Sequence, residues 1–444
     1  MNAMNVQKAS FLSVLALAGA IGAANTASAQ NSDRNGSNAD AAADVLIRGA
    51  KVYTVSGRGT LENADVLVHA GKIAGVVQSG AAGLQIPAGA RVVEAKGRPL
   101  TPGVFAGLTH IGIEEISAES STVDANVDFK SPAWDQKWRP EFDVTLAYNS
   151  RSTLVPVMRI EGLTWTVLAP GAGDSIIAGQ GAAVALDGTL EQGSRAVLDG
   201  SRSLFVKLGS ESEKLTGGSR AAGYMLLDQA IGETRASGPV GQDALLHAAG
   251  RTALGRYLSG GRVIFEVERA ADILEVLAFA ERNHVKPVIS GGSEGWLVAK
   301  ALARAKVPVV LNSLQDLPSD FDRLSSRLDN AARLQRAGVL IAFSSGENHK
   351  AYSVRQLAGN AVAHGLPWDA ALAAITANPA EIFGQGAVRG RIEKGQVADL
   401  VLWNGDPLEV TSAADQVWIG GRTIEMRSRQ TELRDRYLRQ AKAH

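Results

Sequence analysis

The chemistry-bearing side chains of this sequence do not form any short catalytic motif. The chain has seven histidines and no cysteine, which excludes disulfides, cysteine nucleophiles and thiolate metal sites. It contains no HExxH zinc motif, Ser345-Gly346 lacks the GxSxG elbow of serine hydrolases, and no GxGxxG stands at a strand-to-helix turn. Nothing in the spacing of Ser, His and Asp singles out a triad. Any site must therefore be assembled from residues that lie far apart in the chain.

Two carboxylates stand out on one predicted strand. Glu266 and Glu268 alternate with Phe265 and Val267, so both acids point to the same face of the strand. If that face lines an interior, the two carboxylates must be paired with cations or protonated.

The overall charge excludes some classes of partner. Lys plus Arg equals Asp plus Glu, at 45 each, so the chain has no bulk electrostatic attraction to nucleic acid or to an anionic membrane. Beyond the first 29 residues, no apolar run reaches the ~18 residues that a membrane helix needs. We expect no nucleic-acid partner and no membrane span.

The N-terminal residues have the three parts of a secretory signal in order. Lys8 gives a positive start, Phe11–Ala24 is a short apolar run, and Ala27-Ser28-Ala29 is a small-x-small cleavage site. The alternative is a buried N-terminal helix. The sequence predicts a signal peptide at residues 1–29, a disordered linker at 30–43, and a periplasmic or secreted location.

The two ends of the remaining chain are rich in short β-branched runs divided by glycine-bearing turns. Residues 44–100 and 386–426 each hold too few strands for a sound core, so we expect one β-sandwich built from both. Residues 427–444 carry six Lys/Arg against Glu432 and Asp435. This basic C-terminal helix or tail is interpreted as a solvated helix, with a docking tail as the alternative.

The middle of the chain alternates between strands and helices. Across residues 101–385, runs such as RVIFEVE and VPVVLN are followed by helical patterns such as ADILEVLAFAERNH. Alternation over about 250 residues predicts an α/β fold with a (β/α)₈ barrel, beside the small β-sandwich. A doubly wound open sheet is the structural alternative.

Several motifs resemble the amidohydrolase superfamily, in its imidazolonepropionase-related branch. In order along the chain, they are Leu100-Thr101-Pro102-Gly103, Ala169-Pro170-Gly171 with Gly179-Gln180-Gly181, Thr376-Ala377-Asn378-Pro379-Ala380, Gly390-Arg391-Ile392-Glu393-Lys394-Gly395 and Ala398-Asp399-Leu400-Val401. By their physics they are structural: Asn378-Pro379, for example, suits a helix start, where Asn caps and Pro fits the first turn.

The resemblance implies a metal-assisted hydrolase, yet most of the family's ligand positions have changed. The family's strand 1 carries a His-x-His pair, and here the first position holds Leu108 and only His110 remains. On strand 4, Lys207 stands where the family often has a carboxylated bridging lysine; the alternative is an ordinary ion-paired or exposed lysine. On strand 5, Glu268 stands in place of a histidine.

The last two ligand positions have lost their donors. On strand 6, Gly291 replaces a histidine, and on strand 8, Ser345 or Gly346 replaces the catalytic aspartate. Glu347 substitutes only if the backbone shifts. The remaining histidines are predicted to be packed or solvent-facing, with His349, just after strand 8, the one placed to contribute.

These substitutions leave two functional hypotheses. One is an exported hydrolase acting on non-peptide C–N bonds, or on small dipeptide-like amides, with a reduced site of His110, Lys207 and Glu268 as metal candidates. It would hold at most one divalent metal such as zinc, or none. The other is a catalytically inactive subunit, in which Lys207 paired with Glu266 or Glu268 replaces a metal. It binds a small-molecule ligand or pairs with an active amidohydrolase homologue as a homo- or hetero-oligomer.

Overall fold

A computed structural model of the chain describes residues 43–127, 138–171, 173–190 and 196–442. The predicted signal peptide, all but the last residue of the predicted linker, and His444 lie outside the described residues. Among the described residues, no helix combines the length and apolarity needed to cross a membrane.

The described residues form 17 strands and 11 α-helices. The strands are β1 Val45–Tyr53, β2 Thr60–His69, β3 Lys72–Gln78, β4 Arg91–Glu94, β5 Pro99–Pro102, β6 Val104–Thr109, β7 Leu163–Leu168, β8 Ile177–Gly181, β9 Ala183–Ala185, β10 Ser203–Lys207, β11 Arg262–Val267, β12 Lys286–Gly291, β13 Val309–Leu311, β14 Ile341–Phe343, β15 Leu400–Trp403, β16 Ala414–Ile419 and β17 Arg422–Thr423. The helices are α1 Leu154–Arg159, α2 Ser210–Glu213, α3 Arg220–Arg235, α4 Ala248–Tyr257, α5 Ala270–Asn283, α6 Ala299–Ala305, α7 Asn330–Arg336, α8 Val354–Ala363, α9 Trp368–Ala374, α10 Ala377–Ile382 and α11 Arg429–Lys442.

Strands from the two ends of the chain share one eight-stranded sheet. Its order is β17-β16-β15-β5-β1-β2-β3, and β4 pairs with β1. β5 and β15 join the two ends through an antiparallel ladder in which Leu400 lies opposite Pro102. Val45, Ile47, Leu400 and Trp418 are fully buried in the core of this sheet. The sheet therefore depends on chain segments that lie about 300 residues apart.

The middle of the chain forms an α/β unit. Strands β10 to β14 pair in parallel and in chain order, and each is separated from the next by helix. The connecting helix α5 shows why: Ile273, Val276, Phe279 and Ala280 recur at helical spacing and are all buried. It ends at His284, whose φ of 56° lies in the left-handed region.

Two features differ from the sequence prediction. The strands of the middle segment fall into two sheets, β14-β13-β12-β11-β10-β8 and β6-β7-β9, and β8 and β9 run antiparallel to their neighbours. A purely parallel set was therefore wrong for residues 177–185. The small residues of this segment allow close backbone approach: a Cβ on Gly181 would lie 1.9 Å from the Leu168 carbonyl oxygen.

The expected capping role of Asn378 is also wrong. Asn378 lies inside α10, which follows Thr376, and its Nδ2 donates a 2.9 Å hydrogen bond to the Ile341 carbonyl oxygen. The Asn378 side chain therefore attaches α10 to β14 instead of capping the start of the helix.

Candidate functional site

A cavity of about 280 Å³ lies where the parallel strands end. Its walls include the apolar side chains of Leu108, Phe205, Ile264 and Val310. Charged and polar residues from the same strand ends and the loops after them complete the lining: His110, Lys207, Glu266, Glu268, Ser290, Asn312, Gln315, Arg323, Ser344 and Ser345. Carboxyl ends of parallel strands are where α/β proteins place ligands, so this is the candidate site.

The three residues predicted as metal candidates all line this cavity, and each is engaged by a different partner. His110 follows β6, and its backbone N–H donates to Asn348 Oδ1 at 2.7 Å. Its Nδ1 lies 2.9 Å from Glu114 Oε2, and that carboxylate is buried. Because Glu114 takes Nδ1, only Nε2 of this ring is left for a ligand.

Lys207 is paired with Glu266 across two adjacent parallel strands. The two residues are register partners of β10 and β11, and Lys207 Nζ lies 3.2 Å from Glu266 Oε2. Of the two acids proposed as partners for Lys207, the structure selects Glu266. Half of the Glu266 side chain is exposed, so solvent screens this pair.

Glu268 has its own cation, which sequence analysis did not identify. Arg323 Nη2 donates to Glu268 Oε1 at 2.8 Å. The other carboxylate oxygen accepts hydrogen bonds from the backbone N–H and hydroxyl of Ser293, at 2.9 and 2.7 Å. Arg323 comes from an irregular loop after β13, where no periodicity indicates which way a side chain points. Glu268 is thus held by three donors.

The absence of a side chain at Gly291 leaves room for the Glu268 carboxylate at the cavity wall. It ends β12 with a φ of +95°, and a Cβ placed on it would lie 2.6 Å from Glu268 Oε1. The glutamate carboxylate therefore occupies space next to the position where the family resemblance expects a histidine side chain. The two substitutions are sterically coupled.

The wall formed by the end of β14 contributes hydroxyls and no acid. Ser344, Ser345 and Gly346 line the cavity, and Ser344 Oγ accepts a 2.9 Å hydrogen bond from the Leu108 N–H. Glu347 and His349 are exposed, and neither is part of the cavity lining. His349 is therefore solvent-facing, as predicted for the histidines outside the ligand positions.

A buried acid lies near the site in the same loop as Arg323. Asp316 is 1% exposed, and its Oδ1 lies 3.5 Å from Asn330 Nδ2. Burial raises the pKa of Asp316 to about 7, and the negative charge of Glu268 acts in the same direction. Sequence analysis gave no signal for this residue, because a single aspartate in a loop is ordinarily exposed.

The donor set does not fit the family's two-metal centre. Within the described ranges, no group of three or more His, Asp or Glu side chains converges on a common point. Leu108 and Gly291 supply no ligand atoms, and Arg323 and Lys207 place cations on the two carboxylates of the cavity. A catalytic zinc ion needs about three protein ligands and an open position. A metal here would have to displace existing ion pairs.

Comparison with known proteins gives a partial sequence match and a broad structural one. The model of the amidohydrolase family matches residues 328–424. The amidohydrolase tasK of Hapsidospora irregularis is 50% identical over 58 residues, which are 13% of this chain and 6% of that protein. The matched segment is therefore a small part of a much longer relative.

Solved structures match over most of the chain. An amidohydrolase from Thermotoga maritima MSB8 aligns with a TM-score of 0.74 and 23% identity, covering 86% of this chain and all of that one. An adenosine deaminase from Xanthomonas campestris, solved with bound zinc, aligns with a TM-score of 0.51 and 18% identity, covering 86% and 92% of the two chains. The family model therefore matches the C-terminal part of the chain, and the likeness to solved structures shows that the chain has the fold of these amidohydrolases.

Proposed function

We propose that this protein is an exported amidohydrolase-like protein that binds a small molecule in a cavity where ion pairs have replaced the metal centre. The observation that carries the proposal is the pairing of Arg323 with Glu268 and of Lys207 with Glu266 at the cavity wall. These cations take up the carboxylates that a divalent metal would need. The family's metal-assisted water attack has no set of donors here.

The cavity suits a ligand with an apolar body. Leu108, Phe205, Ile264 and Val310 supply apolar wall, while hydroxyl, amide and charged groups surround it. Typical small-molecule sites have mostly apolar walls with a few polar groups, whereas charged and polar side chains outnumber apolar ones in this lining, so the ligand should carry polar groups as well. The protein would then bind a small molecule without hydrolysing it, or pair with an active homologue.

A C–N bond hydrolase is the second candidate. The match of residues 328–424 to the amidohydrolase family supports a hydrolase-like function. The specific observation in its favour is that His110, Lys207 and Glu268 all line one cavity. This candidate requires a reduced site that works with a partial ligand set.

We infer a closed barrel because the inner core cluster takes residues from every strand between β6 and β14, including Phe105, Trp165, Ala183, Val310 and Ala342. Strands β10 to β14 follow chain order without reversal, unlike a doubly wound sheet. The assignment to the imidazolonepropionase-related branch rests on the sequence motifs.

Export is proposed from the N-terminal sequence pattern alone. N-terminal sequencing of the protein purified from its native host is expected to begin at Gln30, after the predicted cleavage site. An N-terminus at Met1 would remove the proposal of a periplasmic or secreted location.

The binding role is tested by a ligand screen followed by an assay for turnover. Thermal unfolding is measured with small amides, N-acyl amino acids and dipeptides, with and without added zinc or manganese. We expect at least one compound to raise the unfolding midpoint without being hydrolysed, because a ligand that binds the native state stabilises it.

Matched tryptophan variants locate that binding. Ser345→Trp places a large ring at the cavity wall, whereas Ser237→Trp changes an exposed residue outside the lining. Only Ser345→Trp should abolish the shift. Metal-dependent product formation that disappears in Glu268→Ala would overturn the binding role and support the hydrolase.

A further inference from the structure

The last helix of the described chain leaves its large apolar side chains exposed to solvent. In α11, Leu433 and Tyr437 are four residues apart and share a face. Their exposed fractions are 39% and 61%. Thr431 and Asp435, two positions earlier in each case, lie on nearly the opposite face and are partly covered. Leu438, which lies toward that opposite face, is 52% exposed, so the three large apolar side chains of the helix all face solvent.

Such a helix gains little from its own fold. Among the residues of α11 whose side chains are described, none is buried. An isolated helix of 14 residues is only marginally stable in water, because most helical stability comes from packing an apolar face. The exposed face of α11 is therefore a surface that a partner would stabilise.

The charges on α11 identify the kind of partner. The helix carries Arg429, Arg434, Arg436 and Arg439 against two acids, although the whole chain is charge-balanced. By helical spacing, Arg429 and Arg436 flank Leu433 and Tyr437 on one side and Arg434 on the other. Arg436 also lies 5.9 Å from the centre of the Tyr437 ring.

The geometry points to docking of α11 on an anionic phospholipid surface. We propose that Leu433 and Tyr437 enter the headgroup region while the flanking arginines extend to the lipid phosphates. Interfacial helices bind in this way, with an apolar stripe buried at the boundary and long cationic side chains reaching back to the charged layer. The proposal is independent of the cavity and of its ligand.

Vesicle co-sedimentation of the full-length purified protein tests the proposal. Vesicles of phosphatidylcholine alone are compared with vesicles in which about a quarter of the lipid is phosphatidylglycerol. We expect binding to the anionic vesicles only, and its loss at high salt, since screening shortens the reach of these charges. Each arginine removed should weaken binding about fivefold, so Arg429→Gln/Arg434→Gln/Arg436→Gln should weaken it roughly a hundredfold.

A charge-matched control separates this helix from general electrostatic attraction. Lys300→Gln/Arg304→Gln/Arg336→Gln removes the same charge from a basic groove elsewhere on the surface. That variant should retain binding within a few-fold, and Leu433→Ser/Tyr437→Ser should lose most of it. Absence of binding to anionic vesicles at low salt would overturn the proposal. Equal losses in the two charge variants would do the same.

Discussion

At the scale of single residues, the site is shaped by Gly291 and Glu268 together. The carboxylate of Glu268 fills the space into which a Cβ at 291 would extend, at 2.6 Å from Oε1. A side chain at 291 would therefore require the Glu268 carboxylate to move away from Arg323 and Ser293. The packing couples positions 268 and 291.

Gly291→Ala measures this coupling. We expect a loss of about 2–4 kcal/mol in the free energy of unfolding, from strain at positive φ plus the contact with Glu268. Gly338→Ala is the matched control, because Gly338 has a φ of +87° and open space around its Cβ position. That control should lose only about 1–2 kcal/mol. Equal losses in the two variants by urea unfolding would show that Glu268 does not crowd residue 291.

Asp316 should make stability depend on pH. Its folded pKa of about 7 lies above the value of 3.8 for an unperturbed aspartate, so the folded state binds this proton more tightly than the unfolded chain. The protonated acid is tolerated at low pH, and stability is lost as pH rises from about 4 to about 7. Relative to Asp316→Asn, the wild type should lose roughly 3–4 kcal/mol over this window in urea unfolding. Parallel pH profiles would contradict the assignment.

Residue-level prediction from the sequence succeeded where a strand fixed the side chain. Lys207 and Glu268 were placed at strand ends, and both line the cavity. Arg323 was missed because it reaches Glu268 from a loop, at a separation of 55 residues that no pattern reveals. Glu114 was missed for a similar reason, since it lies in the irregular segment after β6.

At the scale of elements, the turn that leads back into the eight-stranded sheet depends on a buried ion pair. Arg389 Nη1 lies 2.8 Å from Asp399 Oδ2, with both side chains at most 7% exposed. The other oxygen of Asp399 accepts the Gly420 N–H at 2.8 Å. The ion pair explains the structural role of Asp399 in the segment Ala398-Asp399-Leu400-Val401, one of the motifs that resemble the amidohydrolase superfamily.

Arg389→Met should destabilise the protein by about 3–5 kcal/mol, because it leaves Asp399 buried without its cation. Arg391 forms a comparable pair with Glu381 at 2.7 Å, but half of that carboxylate side chain is exposed. Arg391→Met should therefore lose less than about 1 kcal/mol. Thermal or urea unfolding of the two variants checks this, and similar losses would mean that burial does not set the contribution of Arg389.

Helices and strands with a regular spacing of apolar residues could be predicted from the sequence, and the other elements could not. The predicted strands RVIFEVE and VPVVLN match β11 and β13, and α5 follows its amphipathic pattern. The antiparallel β8 and β9 were missed because small residues in the segment 177–185 carry no strand-like alternation. Their direction depends on close contact with β7 and β10, a tertiary interaction that local sequence does not encode.

At the scale of the whole molecule, two separated β-rich ends share one sheet, and the middle strands place a cavity at their carboxyl ends. The sharing of strands was foreseeable, because neither end has enough strands to form a core alone. The charge arrangement in the cavity was only partly foreseeable: Lys207, Glu266 and Glu268 were identified from the sequence, whereas Arg323 reaches Glu268 only in the folded chain.

Metal content per chain tests the central claim most directly. The protein is purified without chelator, incubated with excess zinc, desalted and analysed by mass spectrometry, alongside Glu268→Ala and Lys207→Ala. Replacement of the metal centre by ion pairs predicts far less than one tightly bound zinc ion per chain in all three proteins. One or more zinc ions per wild-type chain, lost in Lys207→Ala and Glu268→Ala, would contradict it.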